Sequence, residues 1–143
     1  MKFIDKNHKE FCEMICDEMS KFKRLDCYDV ALIYTLSVCE TTRKHFNEIF
    51  DLKEGININS LKSRWQTETS LKVTRMAFNL YNDCMYDSEK DIDKEQVSEY
   101  YSPSEIFCCS YATYFFEAIK IRFPEYTNIM DKIRDTEDEE FVR

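Results

Sequence analysis

Glycine is almost missing from this sequence: Gly55 is the one glycine in 143 residues, and Pro103 and Pro124 are the two prolines. Loops that cradle phosphate need glycine so that the backbone can approach the ligand, and two-residue hairpins usually need it at positive φ. Nucleotide-binding loops and β-rich folds are therefore disfavoured, and helices joined by polar loops remain. No apolar run approaches the roughly 20 residues of a membrane span. No charged-then-apolar leader opens the chain, and no cysteine pair has the Cys-x-x-Cys spacing of a zinc knuckle. Positive charge is also in deficit, with 20 basic against 28 acidic residues and a net charge of -8. That balance opposes general affinity for nucleic acid and favours solubility or an electropositive protein partner. The seven cysteines are odd in number, so the expectation is a cytoplasmic protein with all thiols reduced, set on apolar faces and unreactive until the chain unfolds.

What is present reads as helix. A chain of this length fits one domain and buries roughly two-thirds of its unfolded surface without staples. The pattern predicts an all-α fold, a compact bundle of six or seven helices over residues 1–134, with a mobile acidic insertion at 87–99 and an acidic tail at 135–143. No sheet beyond a minor ribbon is expected. Over residues 6–22, Phe11, Met14, Ile15, Met19 and Phe22 recur at helical spacing opposite Glu10, Glu13, Asp17 and Lys21, with Asn7 and Glu10 placed as a cap pair. Residues 27–39 are apolar nearly all round, interrupted by Asp29, Thr35 and Ser37, and predict a central helix. A third helix, capped by Thr41 or Thr42, sends Phe46, Ile49 and Phe50 inward and stops near Asp51, and residues 51–63 read as a loop.

A fourth helix begins near Thr67, burying Val73, Met76, Ala77, Leu80, Tyr81 and Cys84 and exposing Lys72, Arg75, Asn79 and Asn82. Ser102-Pro103-Ser104-Glu105 then joins an N-cap hydroxyl to a proline at the first helical position and a glutamate placed to answer the cap. The helix predicted over 111–123 buries Ala112, Phe115, Phe116, Ile119 and Phe123, exposes Thr113, Glu117 and Lys120, and packs on the central helix. Ile129, Met130 and Ile133 indicate a last helix after Pro124.

Few residue groups carry chemistry. His8, Cys12 and Cys16 are four apart and share one side of a helix, but without paired knuckles a cysteine beside an apolar stripe is a small hydrophobe, and no metal is expected. Asp87, Glu89, Asp91, Asp93 and Glu95 alternate like calcium ligands. Ile92 stands where that loop needs glycine and Ser98 where it needs glutamate, so the segment reads as a solvated charge run. Neither His8 nor His45 has a local cysteine arrangement that signals nucleophilic catalysis. Arg64-Trp65-Gln66 groups residue types enriched in binding hot spots, although a tryptophan at a loop-to-helix junction is more often a lid on the core. Lys62, Arg64, Lys72 and Arg75 make this region locally basic without the stacking context of a nucleic-acid site.

The segments RWQT (64–67), RMAFNLYN (75–82) and SPSEIFCCSYATYFFEAIKIRFPEY (102–126), with DCYDVALIYTLSVCETTRKHFNEIFD (26–51), resemble a small family of unknown function from Firmicutes, often carried by phages and other mobile elements. Thr113 stands where that family has proline. The resemblance transfers no catalytic residue and implies a small accessory protein. The expectation is a non-enzymatic interaction protein in the bacterial cytoplasm, an inhibitor of a host defence system of the anti-CRISPR kind, with no cofactor. It would bind a basic nucleic-acid-binding effector through Arg64, Trp65 and Gln66 and through Asp87, Glu89, Asp91, Asp93 and Glu95, with no direct contact to nucleic acid or membrane. The alternatives are a ligand-binding or enzymatic domain with a pocket lined by Trp65, Arg75, Tyr114 and Glu117, or a host regulatory subunit.

Overall fold

The computed structural model describes residues 1–92 and 97–127. The first helix, α1 (Lys6–Ser20), is opened by Asp5, whose carboxylate accepts from the His8 N–H at 2.8 Å. This replaces the predicted Asn7–Glu10 pair, because Asp5 is the residue with extended backbone and a short acceptor at the helix boundary, while Asn7 is already inside it. His8, Cys12, Ile15 and Met19 are buried, whereas Met14 and Phe22 are exposed. At about 100° per residue the four buried positions centre roughly 130° away from Met14, so Met14 lies off the buried stripe, against expectation. Phe22 falls beyond the helix end, where the Lys53 ammonium sits 4.7 Å from its ring centroid.

The predicted central helix is α2 (Cys27–Leu36), packed against α1 and two later helices. Its polar residues are all spoken for. Asp29 accepts from the Asp26 N–H while Asp26 accepts from the Asp29 N–H, a reciprocal cap, and Asp29 also meets Lys23 at 2.9 Å. Thr35 and Ser37 return their hydroxyls to the Ala31 and Ile33 carbonyls, four residues back. The helix stops at Leu36 rather than at Cys39. Its end is held from outside by Thr42 Oγ1 donating to the Leu36 carbonyl and Arg43 to the Ser37 carbonyl, which satisfies acceptors that have no partner within the helix.

Thr42 is thus a clasp on α2, and the predicted third helix is two short ones, α3 (Glu40–Lys44) and α4 (Phe46–Ile49), without a side-chain cap. Phe46, Ile49 and Phe50 are buried as expected. The predicted loop holds a minimal ribbon, β1 (Phe50–Asp51) against β2 (Gly55–Ile56), followed by a 3-10 turn (Ile58–Lys62). Gly55 is at φ 100°, a conformation that disfavours any side chain, and Asp51 closes the turn by accepting from the Lys53 and Glu54 N–H groups. Those two bonds hold the Asp51 carboxyl below its ordinary pKa.

Thr67 caps α5 (Glu68–Asn82) in a reciprocal pair with Ser70. Val73, Met76, Ala77, Phe78 and Leu80 are buried, Tyr81 is half-buried, and Cys84 is buried beyond the helix end, which turns at Asp83 in the left-handed region. Lys72, Arg75 and Asn79 are half-buried rather than exposed, because each reaches an acceptor: the Cys108 carbonyl, Asp87 and the Cys84 carbonyl. Next come α6 (Glu89–Ile92), a second 3-10 turn (Glu99–Tyr101), α7 (Pro103–Ile106), α8 (Ala112–Arg122) and α9 (Pro124–Thr127). Pro103 opens α7 as expected, but Ser102 makes no capping bond, since its hydroxyl pairs with that of Ser104.

The helix α8 packs on α2 and buries Phe115 and Ala118. Phe116 is 59% exposed, against expectation. Ala112, Ile119 and Phe123 are half-buried. Phe115 and Phe116 are successive residues about 100° apart, and only one of them can face α2. Nine α-helical segments, several of a single turn, and one two-residue ribbon among the described residues make this an all-α fold. The helix predicted from Ile129, Met130 and Ile133, and the acidic tail, lie outside the described residues.

All seven cysteines are free: Cys12, Cys39 and Cys84 are buried, Cys16, Cys27 and Cys109 half-buried, and Cys108 exposed. The expectation that every thiol is hidden therefore fails at Cys108, which sits on the turn between α7 and α8. Alkylation of the native protein is expected to label Cys108 first and to spare Cys12, Cys39 and Cys84, with seven labels after denaturation without reductant. Mass-spectrometric mapping checks this, and a buried thiol labelled as fast as Cys108 would contradict the packing.

Candidate functional site

The residues with metal-ligating chemistry on α1 are consumed by the fold. His8 is fully buried, its Nδ1 faces the Ile4 N–H at 3.2 Å, and its Nε2 lies 2.9 Å from the Tyr34 carbonyl. A ring nitrogen facing an N–H must accept, so the proton resides on Nε2 and both nitrogens are occupied. Burial holds the imidazole below its ordinary pKa. A hydrogen bond to Cys16 and burial push the Cys12 thiol up, and the same bond lowers Cys16. Among the described residues no group of three or more His, Cys, Asp or Glu side chains is arranged to hold a metal ion.

His45 stacks on Trp65, with centroids 4.1 Å apart and planes 2° from parallel, and its Nδ1 pairs with Glu48. Trp65 is half-buried in that stack, so it closes over the α3–α4 junction. Gln66 turns inward, with its amide nitrogen on the Ser60 carbonyl and Thr74 Oγ1 and its oxygen accepting from Ser70. Of the Arg64-Trp65-Gln66 group, Arg64 alone is exposed.

The acidic segment is likewise partly internal. Arg75 holds Asp87 through two parallel bonds of 3.0 and 3.2 Å, and the Tyr100 ring lies 4.6 Å from the guanidinium. The Ser98 N–H donates to the Met85 carbonyl at 2.8 Å, which brings together the two ends of the segment. Glu89 is exposed and Asp91 half-exposed, while Asp93 and Glu95 lie outside the described residues. Gln66, Lys72, Arg75 and Tyr100 share a cleft of about 440 Å³ with Glu68 and Glu105. Of the four residues expected to line one pocket, Arg75 is in that cleft and Trp65 on His45. Tyr114 and Glu117 meet the N-terminal segment, with Glu117 accepting from the Lys2 N–H at 3.2 Å and Tyr114 edge-on to His8. The structure draws them into three settings.

A different surface emerges on the outer side of α1. Met14 is 50% exposed, and Glu10, Glu13, Asp17 and Glu18 surround it, all exposed. Lys6 and Lys21 pair with Glu10 and Glu18 at 3.5 and 3.0 Å, leaving Glu13 and Asp17 without an ion pair among the described residues. Beside them a groove of about 490 Å³ runs between α1 and α3, lined by Phe11, Met14, Glu10, Glu40 and Arg43. This is an apolar anchor point inside an acidic frame. Sequence spacing places Glu10, Glu13 and Asp17 beside Met14, but the burial of His8, Cys12, Ile15 and Met19 is what leaves Met14 outside the covered arc of α1.

Fold and surface thus define a small all-helical domain whose polar interior serves structure and whose acidic exterior is open. The chain belongs to the family of unknown function DUF6075, whose sequence model matches residues 1–135. No curated protein and no solved structure matches it. Among the described residues no helix is long and apolar enough to cross a membrane.

Proposed function

We propose that this protein is a non-enzymatic interaction protein of a phage or mobile element, acting in the bacterial cytoplasm by occupying a basic, nucleic-acid-binding surface of a defence effector, in the manner of an anti-CRISPR inhibitor. The observation that carries this reading is the outer face of α1, where exposed Met14 sits among Glu10, Glu13, Asp17 and Glu18. Exposed acidic groups speed encounter with a positive surface and compete with phosphates, and a central apolar side chain supplies the desolvated anchor that charge alone lacks. The net charge of -8 acts in the same direction. Internal pairing of Asp87 with Arg75 shifts the phosphate-mimicking role away from that residue, to Glu89 and to the α1 face.

Capture of partners from a bacterial host, with wild type against a Glu13→Lys/Asp17→Lys double variant, tests the reading. The wild type is expected to retain a nucleic-acid-binding protein. The double variant is expected to associate with it about tenfold more slowly at low salt, with the difference vanishing as salt rises. A partner with no basic surface, or an association insensitive to both salt and charge reversal, would refute it.

A further inference from the structure

We propose that the cleft where α8 and α9 meet the start of α2 is a binding site for a small aromatic oxyanion, a planar ring bearing phosphate or carboxylate, read by the Arg122 guanidinium and an aromatic wall. The cleft measures about 470 Å³ and is lined by Tyr28, Arg122, Phe123 and Tyr126, with Cys27 and Glu125.

The guanidinium is fixed before any ligand arrives. Its Nε donates to the Leu80 carbonyl at 2.9 Å, in the last turn of α5, where carbonyls lack partners within the helix. The Tyr28 ring centroid lies 3.5 Å from its central carbon, and that of Phe123 lies 4.4 Å away. A separation of 3.5 Å is a stacking distance, so the Tyr28 ring covers a flat face of the guanidinium and leaves the in-plane N–H edge open. No described residue accepts from Nη1 or Nη2, and no described carboxylate forms an ion pair with Arg122. Those nitrogens are not sealed in either, since the buried side-chain atom without a partner among the described residues is Ser60 Oγ.

An open pair of coplanar donors matches two oxygens of a phosphate or carboxylate, and a side chain already held by a carbonyl and two rings loses little freedom on binding. The ring of the ligand has its own place. Tyr28 is 39% exposed and Tyr126 70%, and Phe123 stands 6.5 Å from Tyr126, so an apolar wall faces the cleft beside the fork. Glu125 and the negative net charge oppose a bare anion, which makes the aromatic half necessary for affinity. A purely structural arginine explains the Leu80 bond and the stacks, but it needs neither an open N–H edge nor an exposed aromatic wall.

Amide chemical shifts of the full chain, titrated separately with phenyl phosphate, benzoate, inorganic phosphate and phenol, test the site. Saturable shifts around Tyr28 and α8–α9 are expected for phenyl phosphate or benzoate, and the tighter of the two names the anion. Phenol and inorganic phosphate are expected to bind at least tenfold more weakly. Arg122→Lys is expected to weaken the better ligand at least tenfold, and Glu125→Gln to strengthen it severalfold. Because Arg122 also ties α8 to α5, Tyr126→Ala serves as a second variant: it removes an exposed ring, should leave the melting temperature unchanged and should weaken the aryl ligand about fivefold. Absence of saturable shifts in the folded wild type, equal binding of phenol, or unchanged affinity in Tyr126→Ala would overturn the proposal.

Discussion

Phe115→Ala is expected to destabilise the protein by roughly 3–5 kcal/mol, while Phe116→Ala, one residue along, is expected to change stability by less than about 1 kcal/mol. Phe115 is 1% exposed on the face of α8 that meets α2, with Phe107 edge-on to it at 5.7 Å. Its removal deletes a large buried area and leaves a cavity that the surrounding helices refill only in part. Phe116 is 59% exposed, its ring touching Phe107 at 5.2 Å from outside, so truncation costs little transfer free energy. Urea denaturation of both variants decides it, with Phe115→Leu as a milder change should the alanine variant fail to fold. Equal losses at the two positions, or a larger loss at Phe116, would show that α8 is rotated from the orientation described.

His8→Ala is expected to cost roughly 2–4 kcal/mol, because it leaves the Ile4 N–H and the Tyr34 carbonyl without their shared partner and opens a cavity beside Tyr34. The same residue makes stability pH-dependent. Burial, reinforced by Arg43 and only partly offset by the Tyr34 carbonyl and Asp5, holds its folded-state pKa below the ordinary imidazole value. The unfolded chain protonates this histidine near pH 6.5 while the folded one resists, so the unfolded state binds more protons and stability falls as pH drops below about 6.5. The slope contributed by one such group is at most about 1.4 kcal/mol per pH unit. Denaturation midpoints between pH 7.5 and 5.5 should decline more steeply in wild type than in His8→Gln, whose amide retains a donor for the Tyr34 carbonyl. Identical slopes in the two proteins would mean that His8 is not held neutral.

Much of the fold was legible because it rests on local rules. Thr67 caps α5 and Pro103 opens α7, and the apolar run from residue 27 forms the helix around which the others pack. The misplaced residues share a cause. Phe116, Met14 and Phe22 are apolar, and apolar character alone does not state which side of a helix meets a neighbour. Asp5 rather than Asn7 is the cap of α1, because nearby polar residues compete for one cap and only the backbone path selects between them. The candidate site was less legible still. Gln66 and Asp87 carry groups suited to binding, yet Ser60, Ser70, Thr74 and Arg75 use those groups internally, through contacts that sequence spacing does not announce.

By itself the sequence determined that this protein is helical, acidic and nearly devoid of glycine, since these follow from composition and periodicity residue by residue. It also determined which helix is central, because a segment apolar on every side is stable only when covered on every side. Tertiary structure alone decided the rest. It turned Phe115 inward and Phe116 outward, consumed His8 as a buried donor to the Tyr34 carbonyl, left Met14 standing in an acidic frame, and stacked Arg122 on Tyr28 across 94 residues of chain. Each of these outcomes depends on which distant element arrives to cover a side chain, and burial, pairing and exposure are properties of that encounter rather than of the residue.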